Sequence, residues 1–571
     1  MPKRVLIAAL KRVQRVLGIA PSLWLSILPL IIVTKEWRSF MPRARLGLGR
    51  RRARRKPAGP ALRFVFVRFS LVYLEQMLEK RKIRHETTKH MVVGILAAAG
   101  HHFMSSGRLP LAEHCFDLIT KYLPANSWRA IDYLRALAIA QFMQGKVPEA
   151  HAAIERVGLA KKFILARGRT ATRITNLGNT WFVAIGHVAM IDFLLKQQKL
   201  GWGHADAEIV FTHDLTNIAG KSLVEEFVAL GMVCKVRGGI GEYYNVKRSN
   251  DETDWELLSD DERRMVVHEF WEYEFPGGEV LFYSHAAARI QQRWEAERRQ
   301  PLLKFSDAQC QMRELLLARM GIPRNAWFVC LHVRESGFHG KWNKIYPSAR
   351  DANVDDYDLA VSTITERGGW VIRMGDTTMK PMRPRPMVVD YAHSNLKSEL
   401  TDIVLASSCR FFLGTNSGFA TVPGIYGVPC VLTNWVPISL PLWFGRDLMI
   451  PKLFWDKKEG RFLTFEEMFA STIGAIQNFY DFPENLEVKD NTPEEINDVV
   501  IEMLSATAQG GVKSTCDESL QNRYFATAIA HGSYKGSRIG DSFLRKYEGL
   551  LTRSTSYLSD SQNKKTRALI W

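Results

Sequence analysis

Two side chains that could bind an anion directly follow an apolar stretch of the sequence. The stretch Trp327–Leu331 reads WFVCL, and His332 and Arg334 come next. A guanidinium is planar and permanently charged, so Arg334 could hold phosphate oxygens and stabilise the charge that grows on a departing diphosphate. His332 could position Arg334 or contact the same ligand. The alternative is that Arg334 makes a surface salt bridge and that His332 is packed in a core.

A second candidate anion site follows another apolar stretch. Phe411–Leu413 runs into the sequence GTNSG at 414–418, and a helix is expected from there to Tyr426. Small polar side chains, exposed amides and the positive end of a helix together attract an anion. Asn416, Ser417 and Gly418 are therefore candidate contacts. The alternative is that Ser417 only caps the helix.

Carboxylates occupy similar positions nearby. Asp376 and Asp390 each follow an apolar stretch, and Glu399 and Asp402 open a predicted helix. Ribose hydroxyls or polar atoms of a base could donate hydrogen bonds to these oxygens. Each carboxylate could instead cap a turn or interact with a helix dipole.

A side chain that could accept a proton lies earlier in the chain. His187 follows Gly186 at a predicted turn before a helix. An imidazole has a pKa near neutrality, so His187 could deprotonate an acceptor hydroxyl. The alternative is a core or capping histidine, and Asp214, after the predicted strand Ala207–Thr212, is the reserve candidate.

The sequence predicts neither a metal nor another cofactor. The run DYD at 356–358 formally matches a paired-acid metal motif, but both acids fall in the first turn of a helix that we expect Asp355 to cap. His101 and His102 have no partner at ligand spacing. The seven cysteines are scattered and odd in number, which favours reduced core residues in the cytosol.

Apolar stretches that alternate with helices predict two parallel sheets. Such strands are buried on both faces, and their sheets bind ligands at the carboxyl ends of the strands. We expect one Rossmann-like domain with a helical connector at 166–325 and a second at 326–505, facing each other across a cleft. After Pro437 the chain reads as helical and loop-like, and 506–571 as a partly disordered extension.

The region 61–165 is predicted to be helical and contains an internal repeat. The sequence GRLPLA at 107–112 recurs as GKVPEA at 145–150, each after an alanine-containing apolar helix. This spacing is typical of tetratricopeptide-like helix pairs, in which glycine makes the turn and alanine permits close contact. Such pairs bind a protein partner or brace a neighbouring domain.

The first 60 residues combine basic and apolar segments. Much of the formal charge of +18 lies here, including six Lys or Arg residues between 50 and 56. Ile19–Val33 is apolar but shorter than the about 20 residues that span a bilayer. We predict a membrane-interface segment within 1–56; a signal peptide or a packed first helix are the alternatives.

The motifs of the second sheet resemble those of a bacterial glycosyltransferase family related to the GT-B fucosyltransferases. The resemblance rests on His332-Val333-Arg334, Gly375-Asp376, ELTD at 399–402 and GTNSG at 414–418, and it covers roughly residues 170 to 470. It implies a GT-B-like fold and an inverting, metal-independent transfer of a sugar from a nucleotide-diphosphate donor. Arg334 and Ser417 are carried over as diphosphate contacts. ESGFH at 335–339 departs from the fucosyltransferase pattern, so the resemblance does not imply GDP-fucose as donor.

The predicted activity is therefore a hexosyl or deoxyhexosyl transfer to a hydroxyl acceptor in bacterial surface polysaccharide or glycolipid synthesis. We expect a cytoplasmic enzyme, peripheral to the inner face of the membrane, with a glycan or lipid-linked acceptor. A scaffold that recruits a partner through the helical repeat is the alternative. A nucleic-acid reader is disfavoured because much of the charge precedes residue 60. The predicted catalytic residues are His187 and Arg334, and the predicted nucleotide-sugar contacts are His332, Arg334, Asp376, Glu399, Asp402, Asn416, Ser417 and Gly418.

Overall fold

The computed structural model of the chain contains two compact units. One comprises residues 1–144 and 149–167, and the other residues 145–148 and 168–571. The structure describes residues 86–105, 108–123, 128–165, 174–177, 179–202, 208–211, 220–230, 233–235, 267–268, 270–335, 348–470, 472–475, 483–508 and 518–551. The predicted membrane-interface segment lies outside these ranges. Among the helices within them, none is both long and apolar enough to cross a bilayer.

The first unit is helical, as predicted. Between residues 86 and 165 the described chain forms four helices: α1 (Glu86–Ser105), α2 (Leu109–Tyr122), α3 (Trp128–Met143) and α4 (Val147–Leu165). Helices α2 and α4 begin at equivalent positions of the internal repeat, each with a proline at its second residue, where no amide donor is lost. Gly145 adopts φ 77° in the turn before α4. Ala112 and Ala150 are fully buried, which matches the role predicted for the repeat alanines.

The second unit begins with a parallel sheet. Its described strands are β1 (Ile174–Leu177), β2 (Glu208–Phe211), β3 (Val233–Lys235) and β4 (Val267–His268), in the order β3-β2-β1-β4. Its helices are α5 (Ile185–Ala189), α6 (Ile191–Lys199) and α7 (Lys221–Ala229). The chain moves outward from β1 to β3 and then returns to the other side of β1. This change of direction makes the carboxyl ends of β1 and β4 a topological switch point.

A connector joins this sheet to the next. It consists of an antiparallel hairpin and two helices: β5 (Glu272–Glu274), β6 (Val280–Phe282), α8 (Tyr283–Ala296) and α9 (Asp307–Arg319). Ser306 and Gln309 form a reciprocal capping box at the start of α9. The two helices were predicted from the sequence, whereas β4 and the hairpin were not.

The second sheet has seven parallel strands within the described residues. They are β7 (Phe328–His332), β8 (Trp370–Arg373), β9 (Val388–Val389), β10 (Phe411–Gly414), β11 (Cys430–Trp435), β12 (Leu448–Pro451) and β16 (Arg538–Ile539). Between β12 and β16, the strands β13 (Leu453–Asp456), β14 (Arg461–Phe462) and β15 (Leu486–Lys489) form a separate antiparallel sheet. The order is β16-β12-β11-β10-β7-β8-β9. Here the switch point lies between β7 and β10. The whole of β7 and of β10 is buried, as expected for strands covered on both faces.

Seven described helices belong to the part of the chain that forms this sheet. They are α10 (Asp358–Glu366), α11 (Glu399–Ala406), α12 (Thr421–Ile425), α13 (Phe465–Ala470), α14 (Pro493–Ala508), α15 (Glu518–Ala530) and α16 (Asp541–Lys546). The predicted fold class, two Rossmann-like parallel sheets preceded by a helical region, is confirmed.

Three details differ from the predictions. Four strands follow Pro437 before residue 505, and β16 extends the sheet beyond that residue. Such short strands contain too few residues to show hydrophobic periodicity, so they were not predicted from the sequence. The helix predicted to begin at Asp355 is preceded by a 3₁₀ turn capped by Asn353, and α10 starts at Asp358. The helix predicted after Ser417 is a 3₁₀ turn at Gly418–Ala420 followed by the five-residue α12.

Candidate functional site

The carboxyl ends of β7 and β10 meet at the switch point of the second sheet, where sheets of this topology bind ligands. The amide of Arg334, two residues beyond β7, donates to Oγ1 of Thr415 at 2.9 Å. The amide of Thr415 donates to the carbonyl of His332 at 3.2 Å. Oγ of Ser417 lies 3.4 Å from Nδ1 of His332. The structure therefore brings together the two candidate anion sites that are far apart in the sequence.

His332 is a buried side chain within this switch point. Its ring packs against those of Phe412 and Phe419, with centroids 6.3 and 5.6 Å away. Burial and then the charges of Arg373 and Lys397 lower its pKa to about 3. The imidazole is therefore neutral at physiological pH, so it can exchange hydrogen bonds but cannot attract an anion by charge.

Arg334 belongs to a charged group that the sequence did not predict. Its Nη1 donates to Oδ1 of Asp351, and its side chain is 8% exposed. Arg350 lies near the same carboxylate, and its Nε donates to Oγ of Ser348 at 3.3 Å. Burial and then the charge of Arg334 lower the pKa of Arg350 to about 10. Arg334, Arg350 and Asp351 are hereafter called the arginine cluster.

The candidate base lies at the switch point of the first sheet. His187 is in α5, soon after β1, and its ring stacks on Phe270, just beyond β4, with centroids 3.9 Å apart. Tyr283, the first residue of α8, packs on Phe270 with centroids 4.7 Å apart. Burial raises the pKa of Tyr283, and the charge of Arg350 opposes that rise. His187, Phe270 and Tyr283 therefore form a continuous row of ring contacts, and the charge of Arg350 acts on the last of them.

The two switch points also touch directly. A Cβ atom added to Gly186 would lie 2.7 Å from Cα of Gly418, and one added to Gly418 would lie 3.0 Å from the amide nitrogen of Gly186. Neither distance leaves room for a side chain, so the loops after β1 and β10 pack backbone against backbone. The carboxyl edges of the two sheets thus face each other, as the predicted cleft requires.

The loop after β10 is ordered by its own hydrogen bonds. Oγ of Ser417 accepts from the amide of Ala420 at 3.3 Å, so Ser417 caps the 3₁₀ turn. Nδ2 of Asn416 donates to the carbonyl of Val436 at 2.7 Å. The helical segment that follows is too short to supply the strong dipole expected from the sequence. Any anion binding here depends chiefly on the charges and amides around it.

Asp376 and Asp390 each hold a neighbouring turn. Oδ1 of Asp376 accepts from the amide and the hydroxyl of Thr378 at 2.8 and 2.5 Å. Oδ2 of Asp390 accepts from the amide of Met382 at 3.0 Å and lies 3.1 Å from Nδ1 of His393. These contacts match the capping alternative. A contact between Asp376 and a nucleotide sugar stays a prediction.

Glu399 and Asp402 both join elements of the fold. Oε1 of Glu399 accepts a hydrogen bond from the amide of Ser222 at 2.6 Å. The Glu399 carboxylate thereby satisfies an amide in the first turn of α7, a helix between strands of the first sheet. Asp402 accepts from Lys397 at 2.6 Å and from the hydroxyl of Tyr391 at 2.8 Å. These protein partners match the structural alternative for both carboxylates. Their predicted contacts with a nucleotide sugar stay predictions.

The remaining sequence candidates concern proton transfer and metals. Asp214, the reserve base, lies outside the described residues. Across the described ranges, the structure contains no group of three or more His, Cys, Asp or Glu side chains that could hold a metal ion.

Comparison with known proteins yields partial structural similarity, of which one example is given. No family model matches the sequence, and no curated protein matches it. A crystal structure of the glycosyl transferase family 9 from Veillonella parvula is similar at a TM-score of 0.31 and 11% sequence identity, covering 46% of this chain and 80% of that one. Similarity at this level does not bear on the activity of this chain.

Proposed function

We propose that the protein is a glycosyltransferase that moves a sugar from a nucleotide-diphosphate donor to a hydroxyl acceptor. The observation that carries the proposal is the pairing of two switch points. Arg334 and the loop at Thr415–Gly418 meet at the switch point of the second sheet, and His187 lies at that of the first. Doubly wound sheets bind nucleotides at such points, so one sheet supplies a donor site and the other an acceptor site.

These placements support the following reaction. His187 accepts the proton of the acceptor hydroxyl, and the acceptor oxygen forms a bond to the anomeric carbon of the donor sugar. The bond from that carbon to the phosphate oxygen breaks, and its electron pair leaves with the nucleoside diphosphate. Arg334 stabilises the negative charge that grows on the departing oxygen. Attack and departure on opposite faces of the sugar invert the anomeric configuration.

The other predicted donor contacts have unequal support. Ser417 and Gly418 adjoin Arg334 at the same switch point, and Asn416 and His332 shape the loop that holds them. Charge from arginine takes the part that a divalent metal plays in other sugar transfers, in keeping with the predicted metal-independent mechanism. We further propose a role in bacterial surface polysaccharide or glycolipid synthesis, with the basic segment 1–56 keeping the enzyme near the membrane.

A thermal-stability screen with nucleotide sugars tests the proposal first. A donor that binds only the folded protein raises its melting temperature by mass action. At a donor concentration one hundred times the Kd, the free energy of unfolding increases by about 2.7 kcal/mol. The stabilising donor is then used in a turnover assay with a panel of glycan and lipid-linked acceptors. If no nucleotide sugar or nucleoside diphosphate stabilises the chain, a non-catalytic scaffold becomes the better description.

Arg334→Gln provides the matching test of mechanism. It removes the charge that stabilises the leaving diphosphate, and turnover is expected to fall by roughly 100-fold or more. Arg410→Gln is the control, because Arg410 lies at the opposite edge of the same sheet, over the ring of Trp327 and bonded to Thr507. Wild-type turnover in Arg334→Gln, with the fold intact by circular dichroism, would exclude the role given to Arg334.

A further inference from the structure

The arginine cluster carries more positive than negative charge. Asp351 pairs with Arg334, and its charge also acts on Arg350. Lys452 donates to the backbone carbonyl of Asp351 at 2.7 Å, but its charge is matched by Asp490, 2.7 Å away. Within the described part of the chain, Asp351 is the one carboxylate whose charge acts on both guanidiniums.

This arrangement is costly for the protein alone. Like charges oppose one another most strongly where water is excluded, and the side chain of Arg334 is 8% exposed. The effect is visible at Arg350, whose pKa burial and Arg334 both depress. A second anion beside the cluster would relieve the repulsion and use the remaining donors of both guanidiniums.

We propose that Arg350 is a second diphosphate-binding residue, and that Asp351 competes with the diphosphate for the two guanidiniums. The inference rests on the proposed function and names the second residue that recognises its donor. Arg334 and Asp351 make a direct hydrogen bond, so an incoming phosphate must replace that carboxylate on Arg334. Arg350, next to Asp351 in the chain and held by its hydrogen bond to Ser348, would bind the same diphosphate.

Binding by two arginines predicts which anions the site prefers. Two guanidiniums suit a ligand with two phosphoryl groups, so inorganic pyrophosphate should bind more tightly than inorganic phosphate. A site built on a single arginine would show little preference of this kind.

Calorimetric titration of the full chain with inorganic pyrophosphate tests the proposal. Arg350→Gln removes charge-assisted hydrogen bonds and is expected to weaken binding by roughly tenfold to a hundredfold. Asp351→Asn removes the competitor and is expected to tighten binding by about twofold to fivefold. Arg324→Gln, at an arginine whose side chain is 79% exposed and paired with Glu314, is the charge-matched control and should leave binding unchanged.

The outcomes separate this inference from the proposed function. If the wild-type chain binds neither pyrophosphate nor any nucleoside diphosphate, both fall together. If the wild-type chain binds pyrophosphate and Arg350→Gln binds it equally well, the assignment of Arg350 alone is overturned. Asp351→Asn gives a result that does not depend on the stability of Arg350→Gln: weaker or unchanged binding in Asp351→Asn contradicts the competition.

Discussion

The contact between Gly186 and Gly418 offers a direct test of how the two sheets cooperate. Alanine at 186 would place Cβ 2.7 Å from Cα of Gly418 and 3.3 Å from its carbonyl oxygen, whereas ordinary contacts begin at 3.4 Å. The nearest atoms are backbone, so no side chain can turn away. The two loops must separate by 0.7 Å, the difference between 3.4 and 2.7 Å, before this contact becomes an ordinary one.

The expected cost is worked from this separation. Overpacking of this kind destabilises a fold by about 1–3 kcal/mol, and the better helix propensity of alanine in α5 offsets up to about 1 kcal/mol. The effect on turnover should be larger, because a displacement near 1 Å between a base and a reacting group costs roughly 100-fold. Binding of the diphosphate should change much less, since Arg334 and Arg350 both lie on the second sheet's side.

The assay compares turnover, pyrophosphate affinity and denaturant unfolding in Gly186→Ala and in the wild-type chain. Gly549→Ala is the control, because a Cβ atom there meets nothing within 4 Å. We expect a selective loss of turnover in Gly186→Ala. Wild-type turnover in a folded Gly186→Ala variant would refute the idea that this contact sets the distance between base and donor.

Two further predictions concern stability. His332 and His285 have pKa values of about 3 and about 4, lowered by burial from 6.5, so their contributions are complete above pH 6.5 and are lost as the pH falls towards those values. In denaturant unfolding, each histidine should lower the free energy of unfolding by about 1 kcal/mol between pH 6 and pH 5. His332→Gln should make the free energy of unfolding less dependent on pH in this range. Asn491→Ala should cost roughly 2–4 kcal/mol, measured in the same way, because it leaves the amide of Asn434 and the carbonyl of Pro451 without partners. A pH-independent stability, or a cost below about 0.5 kcal/mol for Asn491→Ala, would contradict these expectations.

Local composition was enough to find half of the sixteen described strands, including those at the centre of both parallel sheets. The runs that became β7, β8 and β10 are mostly apolar, and a strand buried on both faces needs little else to be recognised. The same runs located the candidate residues that follow them, including Arg334 and Ser417. Strands of two residues, such as β4 and β16, have no such signal, because their place is set by the neighbours they pair with.

The roles of the carboxylates could not be predicted from the sequence. Asp402 and Glu399 stand at a helix start beside a predicted binding region, which suits either ligand binding or structure. Their partners decide between these choices: Lys397 and Tyr391 for Asp402, and Ser222 for Glu399. Ser222 lies in α7, a helix between strands of the first sheet and far from Glu399 in the sequence, so no local pattern could identify it.

The sequence by itself determined the alternation of strands and helices, the helical repeat and the polar residues at the strand ends, because each depends on neighbours along the chain. Tertiary structure alone decided which of those ends meet. The order β8-β7-β10 places Arg334 against Thr415, and the return of the chain to β4 places Phe270 under His187. Arg350 follows no predicted strand and acquires its significance only from the proximity of Arg334 and Asp351. Such pairings depend on long-range packing, which composition and periodicity do not encode.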